Sequence, residues 1–385
     1  MRVVIDYRPA LRERSGVGEY THQLVSALLA VARDDAAREP LELSVFSSSW
    51  KDRLAMAPEL AGAQPIDRRV PVAVLNFAWH RLGWPTAEAL MGRAFDVTHS
   101  LHPLLLPSKA AAQVVTIHDL DFLAHPERTR AEIRRDYPAL AREHAHRADR
   151  IVVPSHFTAR EVERQLEVPA ERIDVCPPGA PDWPPRAAAP EPGYLLFFGT
   201  LEPRKNVGGL LDAYERLLAR EKDTGRAAAA DLPPLVLAGR ATEAAAPWLA
   251  RIERPPLAGH VRLAGYVNPA HRRPLFEGAR LLVQPSFEEG FGLPVLEAMT
   301  LGVPVVAADR GALPEVLGDA GLLVDPEDTD ALAAAIARLV EDDGLASAAA
   351  SKGVQRSSQF RWTRTARAVY QSYERALDHR RCASA

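Results

Sequence analysis

Five short apolar runs, YLLFFG, PLVLAG, VRLAG, RLLVQPS and VPVVAAD, recur through the second half of the chain, with helix-period segments such as NVGGLLDAYERLLAR and PAHRRPLFEGA between them. Continuous apolar runs of this length are what strands show when helices cover both faces of a sheet. Right-handed crossovers are the economical connection between such strands, so the sheet is parallel. The first half repeats the pattern more loosely in MRVVID, LELSVFSS, DVTHS, AQVVTIHD and DRIVVPS. The fold class is therefore α/β, with two Rossmann-like units in tandem. Between them lies CPPGAPDWPPRAAAPEPG, Cys176 to Gly193, whose prolines exclude regular helix and interior strand and mark the connection. The expected domains are residues 1–180 and 181–360. Ligands of such sheets bind at the carboxyl ends of the strands, so two facing units would enclose a cleft.

At 385 residues there is chain enough for two domains, each with its own core. The net charge of -3 gives no whole-molecule pull toward nucleic acid or anionic membrane, which leaves such contacts to local patches. Met1 to Tyr7 reads as a first strand and lacks the apolar region of a signal peptide, and no stretch approaches the roughly 20 apolar residues of a membrane span. Cys176 and Cys382 are too few for a disulfide framework, so cytosolic thiols and a cytoplasmic location are expected. No cluster has zinc-ligand spacing, and His144 and His146, two apart on a helix, do not face one site.

Chemistry concentrates in PSFEEGFGLPVLEAM, Pro285 to Met299. The strand RLLVQPS runs into a turn at Gly290, Phe291 and Gly292, and a helix is expected over Leu293 to Leu301. Backbone N–H groups at that helix start face an anion, while Glu289 before them and Glu297 after them accept hydrogen bonds from hydroxyls. A ligand carrying both phosphate and hydroxyls, such as a nucleotide-sugar, meets that description. Either glutamate alone serves equally as a helix-dipole partner, and Gly-Phe-Gly as a plain turn. FFGTLEPRKN, Phe197 to Asn206, sets Arg204 and Lys205 between a strand and a helix, where a guanidinium and an ammonium can neutralise a diphosphate without a metal.

The segment from Glu289 to Glu297 resembles the E-x7-E motif of the retaining glycosyltransferases of family 4, which have the GT-B fold. The resemblance extends through SGVGEYT, HDLDF, RIVVPSHFTAREV, GTLEPRKN and EGFGLPVLEAM to the C-terminal helix. Many members carry an arginine after the glycine of GTLEPRKN; this chain has Thr200, as does a subset similar to mannosyltransferases of surface-polysaccharide assembly. The resemblance implies a donor diphosphate held by Arg204, Lys205 and the loop of Gly16 and Gly18, a donor sugar held by Glu289, the Phe291 and Gly292 amides and His118, and ribose hydroxyls on Glu297. It implies nucleotide contacts at Gly239, Arg240, Tyr266 and Val267, with Gly290 and Leu293 completing the donor loop. It also implies that the C-terminal helix, 361–379, packs back on the first domain, the acceptor-binding one, while the second binds the donor.

The expected activity is transfer of a hexose, mannose from GDP-mannose first, to a glycan or lipid-linked acceptor. UDP-glucose and UDP-N-acetylglucosamine are the alternative donors, and a nucleotide-sugar 2-epimerase and a non-catalytic paralogue the alternative functions. No cofactor or metal is expected, although Asp119 and Asp121 form an Asp-x-Asp, and no nucleic acid partner. Two stretches remain, VPVAVLNFAWHRLGWP, Val70 to Pro85, and TRAEIRRDYPALAREHAHRADR, beginning at residue 129. Core packing with a solvated basic face is expected of both, and a lipid-linked acceptor at the inner face of the membrane is the alternative.

Overall fold

The computed structural model describes residues 1–11, 14, 16–34, 40–126, 136–223 and 232–384. Ser15 of SGVGEYT and residues 129–135 of the arginine-rich stretch lie outside them; the rest of that stretch forms a helix over Tyr137–Arg147. Two compact units divide the chain, Met1–Gly179 with Arg361–Ala385, and Ala180–Phe360.

The first unit is built on seven parallel strands: β1 (Arg2–Asp6), β2 (Glu42–Ser48), β3 (Gln64–Arg68), β4 (Val97–Ser100), β5 (Ala112–Thr116), β6 (Arg150–Val153) and β7 (Ile173–Val175). Their order is β3-β2-β1-β4-β5-β6-β7. The second has six: β8 (Tyr194–Phe198), β9 (Leu235–Ala238), β10 (Val261–Gly265), β11 (Ala279–Gln284), β12 (Val305–Ala308) and β13 (Leu322–Val324), in the order β10-β9-β8-β11-β12-β13. In both sheets the order reverses beside the first strand, between β1 and β4 and between β8 and β11. Crossovers leave on opposite faces there, which opens a crevice at the strand ends.

The strand period of two explains the second core. Leu195 and Phe197, Leu235 and Leu237, and Leu281 and Val283 enter one apolar cluster, while Leu196, Val236 and Leu282 enter another on the opposite face. Helices α3 (Val207–Asp223), α4 (Pro269–Glu277) and α5 (Leu293–Leu301) belong to this unit. The first unit holds α1 (Val17–Asp34), α2 (Val72–Phe77) and the last helix, α6 (Trp362–Ser384). Helix α6 lies along α1 and buries Ala366, Val369, Tyr373 and Ala376 in the same core as Leu24 and Leu28. Its Tyr373 hydroxyl meets His99 Nδ1 at 2.8 Å, and His99 Nε2 meets Thr116 Oγ1 at 2.8 Å.

The division between the two units, after Gly179, falls within the run Cys176 to Gly193: Cys176 is buried in the first core, and from Ala180 onward the segment packs on the second unit, with Arg186 N donating to Leu301 O at 3.1 Å. One expectation needs correction. Val70 to Pro85 does not pack wholly into the core. Leu75 and Trp79 are buried, but Val72, Val74, Phe77, Leu82 and Trp84 are exposed, because a helix packed on one face of a sheet buries only one stripe. Among the described residues, no helix is long and apolar enough to cross a membrane.

Candidate active site

In the second unit, the loops after β8 and β11 meet at the reversal of strand order. Phe287 N donates to Arg204 O at 2.8 Å, and Arg204 Nη1 donates to Glu288 O at 3.3 Å, so the two loops are stitched through their main chains. Lys205 and Glu289 are both buried and form an ion pair through Nζ and Oε1. The same Oε1 accepts from Gln284 Nε2 and Ser286 Oγ, each at 3.0 Å. Arg204 Nη1 stands 3.9 Å from Glu289 Oε2, and its Nε pairs with Glu202 at 2.7 Å. Burial alone would raise the Glu289 carboxyl; the charges of Lys205 and Arg204 and the hydrogen bonds from Lys205 and Ser286 outweigh it and hold the group ionised, below its ordinary range. Lys205 is pushed below the ordinary ammonium range by burial and by Arg204 beside it, against the pull of Glu289. A buried carboxylate between two cations forms a fixed, water-poor electrostatic frame.

Gly292 has φ +106° and caps α5, where Val295 N and Leu296 N return to its carbonyl at 3.0 and 3.2 Å. The backbone conformation favours glycine, and a Cβ on Gly292 would stand 2.7 Å from Leu313 Cδ2 and displace that methyl. Gly290 and Phe291 are buried in the same turn, Leu293 opens the helix, and Pro294 in its first turn needs no N–H partner. The loop after β12 closes on Glu289 from the other side. Ala312 N donates to Glu289 O at 2.9 Å, and Gly311, at φ +63°, lies so close that a Cβ would be 2.6 Å from that oxygen.

Glu297 has a different neighbour. Its Oε1 is paired with Arg272 Nη2 of α4, both side chains are buried, and the guanidinium lies 5.2 Å from the centre of the Phe198 ring. Glu289 is thus paired with Lys205 and lies near Arg204, and Glu297 is paired with Arg272. Next to them the ends of β8, β9 and β10 are laced by Gly199 N to Ala238 O at 2.9 Å and Gly239 N to Gly265 O at 2.8 Å. A Cβ on Gly239 would fall 1.9 Å from Gly199 O, which makes that glycine a requirement of strand approach. Arg240 is exposed, Tyr266 also, and Val267 packs partly on the core.

In the first unit, Gly16 precedes α1 with φ +52° and open space beyond its Cα, and Gly18 is buried in the first turn. His118 follows β5; its Nε2 is 3.3 Å from Leu101 O, and its ring meets Tyr20 edge-on at 4.7 Å. Burial lowers its pKa to about 4, so it is a neutral imidazole that donates from Nε2. Asp119 Oδ1 accepts from Asp121 N at 3.4 Å, as in a carboxylate that shapes its own loop. Sequence reasoning missed Asp6 at the end of β1. It is buried, its Oδ2 accepts from Arg8 Nη2 at 2.6 Å, and His102 Nε2 lies 3.2 Å from the same oxygen. Leu104 N donates to His102 Nδ1 at 3.2 Å, which leaves Nε2 as the protonated nitrogen facing Asp6. A strand-end aspartate followed two residues later by arginine was the only signal for this group.

Comparison with known proteins adds the following. The family described as "Glycosyl transferases group 1" matches residues 192–342, and "Glycosyltransferase Family 4" matches residues 14–182. The chain is similar to O-antigen chain mannosyltransferase B of Escherichia coli, 33% identical over 385 residues, which covers 94% of this chain and 96% of that protein. D-inositol 3-phosphate glycosyltransferase of Rhodococcus jostii is 31% identical over 248 residues, 60% of this chain and 53% of the relative. Among solved structures, sucrose-phosphate synthase from Thermosynechococcus elongatus has a TM-score of 0.75 at 20% identity, covering 97% of this chain and 98% of that one. HepE of Anabaena, solved with UDP and glucose, has a TM-score of 0.65 at 16% identity, covering 96% and 98%. These structural likenesses concern the fold, two parallel-sheet α/β domains of GT-B type.

Proposed function

The chain belongs to the glycosyltransferases of group 1 and family 4, and we propose that it transfers mannose from GDP-mannose, with retention, to a glycan or lipid-linked acceptor. The observation that carries this reading is the convergence of Arg204, Lys205 and Glu289 at the strand-order reversal of the second unit. Support for mannose comes from the relative named as an O-antigen chain mannosyltransferase and from GTLEPRKN. The second unit is assigned to the donor and the first to the acceptor.

In the mechanism, Arg204 and Lys205 take up the charge of the departing diphosphate, while the amides of Phe291 and Gly292 before α5 hold the donor sugar. Glu289 accepts a donor-sugar hydroxyl through Oε2, since Oε1 already receives three hydrogen bonds. The anomeric carbon–phosphate oxygen bond breaks while the acceptor oxygen bonds to the same face, and the acceptor proton passes to a phosphate oxygen. No side chain serves as nucleophile. Glu297, fixed by Arg272, receives ribose hydroxyls, and Gly239, Arg240, Tyr266 and Val267 flank the base. Arg204 and Lys205 stand in for a metal, so transfer is expected to persist in EDTA.

The reaction is assigned to the cytoplasm, in keeping with the free thiols Cys176 and Cys382. A thermal-shift panel of GDP-mannose, UDP-glucose and UDP-N-acetylglucosamine tests the donor, since the true one stabilises the fold by mass action. Stabilisation by a UDP-sugar and not by GDP-mannose would overturn the donor assignment. Glu289→Gln is expected to retain donor binding and lose most transfer; a fully active variant would remove Glu289 from the mechanism. Incubation with donor alone should return it unchanged, whereas interconversion of nucleotide-sugars would make the enzyme an epimerase.

A further inference from the structure

Gln284, the last residue of β11, is completely buried at the end of the apolar run ARLLVQ. Residues two apart on a strand share a face, so Gln284 stands on the face through which Leu282 joins Leu196 and Val236 in the core, where an apolar side chain is the ordinary occupant. Its amide nitrogen makes two hydrogen bonds, to Ser286 Oγ at 3.1 Å and to Glu289 Oε1 at 3.0 Å. Its carbonyl oxygen is buried too and has no hydrogen-bond partner among the described residues. The reverse setting of the amide would bring that oxygen against the Glu289 carboxylate, so the charge of Glu289 fixes the orientation. A buried acceptor without a partner lowers stability. The glutamine therefore weakens the fold where it stands, and both of its donors serve the loop that bears Glu289.

Glu289 Oε1 receives hydrogen bonds from Lys205 Nζ, Gln284 Nε2 and Ser286 Oγ. These donors differ in stiffness. The ammonium rides on a flexible four-carbon stem and brings charge, whereas Ser286 is a short side chain and Gln284 is rooted in the sheet, where β11 pairs with β12 and Gln284 lies opposite Ala307. Ser286 Oγ accepts from Gln284 while donating to Glu289, so the three groups close a ring of hydrogen bonds. Lys205 alone would leave the carboxylate free to turn. With Gln284 and Ser286 in place its plane is set, and Oε2 is the oxygen that faces Arg204, 3.9 Å away.

We propose that Gln284 and Ser286 are positioning residues for transfer: together they fix the rotation of the Glu289 carboxylate, so that Oε2 meets a donor-sugar hydroxyl in one orientation. The inference rests on Glu289 as the group that holds the donor sugar, and adds the side chains that act through it. Neither of the two needs to touch donor or acceptor. A reacting group misplaced by about 1 Å costs on the order of a hundredfold in rate. Arg204 and Lys205, which meet the diphosphate, keep their places when the ring is broken, so the loss falls on kcat and not on donor affinity.

Turnover is read as release of nucleoside diphosphate from GDP-mannose, UDP-glucose and UDP-N-acetylglucosamine in parallel, with water as the acceptor, and affinity by calorimetry with the same three. Gln284→Met is expected to lower kcat by about tenfold to a hundredfold with Kd kept within about threefold. Its thermal midpoint should be equal to wild type or higher, because the unpartnered acceptor is gone. Ser286→Ala should lower kcat by about fivefold to tenfold, and Ser286→Thr, which keeps the hydroxyl, should restore it. Gln284→Glu separates positioning from mere packing: the new carboxyl donates to Glu289 while it holds a proton and repels it once ionised. Its kcat relative to wild type is expected to fall as pH rises from about 6 to about 9, by about tenfold per unit above the pKa of the pair. In the Glu289→Gln background, Gln284→Met should add no further loss. Wild-type kcat in Gln284→Met, a ratio for Gln284→Glu that does not move with pH, or losses that multiply in the double variant would each overturn the proposal. Full activity of Glu289→Gln would overturn instead the reading on which it rests, and turnover of a UDP-sugar alone only the donor assignment.

Discussion

Acidification should unfold the first unit ahead of the second, through histidines that the fold keeps neutral. His99 is completely buried between the Tyr373 and Thr116 hydroxyls, and burial, with His118 nearby, lowers its pKa to about 3. His118 is lowered to about 4, by burial first, and His80 and His144 to about 3 and 4 for the same leading reason. All four rings belong to the first unit. Their folded values lie below the unfolded value of 6.5, so the unfolded chain binds more protons throughout the interval between. Stability is therefore complete above pH 6.5 and drains as pH falls toward 4 and 3. At pH 5 an unfolded ring is mostly protonated and a folded one hardly at all, a difference of about 2 kcal/mol per ring. His99 and His118 alone then remove about 4 kcal/mol, a large part of the roughly 5–15 kcal/mol that holds a domain folded. Urea titrations at pH 7.5 and 5.0, read by hydrogen exchange so that each unit reports separately, would measure this. A first-unit stability that changes by less than about 1 kcal/mol between them would refute the reasoning. His99→Gln should abolish about 2 kcal/mol of the pH-dependent loss, whatever it costs at neutral pH.

Lys205→Met leaves the Glu289 carboxylate buried without its closest cation and should destabilise the second unit by about 3–5 kcal/mol, most of which Glu289→Gln restores in the double variant; additive losses in urea titrations would show that the two are not coupled. Gly311→Ala drives a Cβ into the Glu289 peptide and is expected to lower transfer by about tenfold or more with nucleotide binding kept; a wild-type rate would mean that the loop yields without moving Glu289. Arg272→Met should erase the preference for GDP over 2′-deoxy- and 3′-deoxy-GDP in calorimetry. Equal weakening of all three ligands would make Arg272 merely structural.

Much of the fold was legible because buried parallel strands are written as apolar runs. YLLFF, ARLLVQ and RVVID stand where those runs fall, and Leu293–Leu301 is helical as its glycine and proline signals imply. The strands missed are short and peripheral: β3 contains Pro65 and Asp67, and β7 and β13 are three residues long, too short for a period to register. The face that α2 turns to solvent was illegible for another reason. Its composition suits a core helix, and only the sheet beneath it decides which side finds a partner. At the candidate site, Arg204, Lys205 and Glu289 could be picked out because loops at strand ends are where charges gather. Arg272 could not, since it reaches Glu297 across 25 positions through the packing of α4 on α5. Gly311 likewise acts through a distance between two main chains, which no pattern of residue types encodes.

The first unit is discontinuous in sequence, and this bears on how it is made. Its sheet is translated first, yet the helix that fills its core with Val369 and Tyr373 leaves the ribosome only after all of Ala180–Phe360. The later-encoded unit can therefore reach its native state while the earlier one still waits with an open apolar flank. A circular permutant that places residues 361–385 ahead of Met1 would remove that delay, and should shorten the chaperone-dependent interval during synthesis.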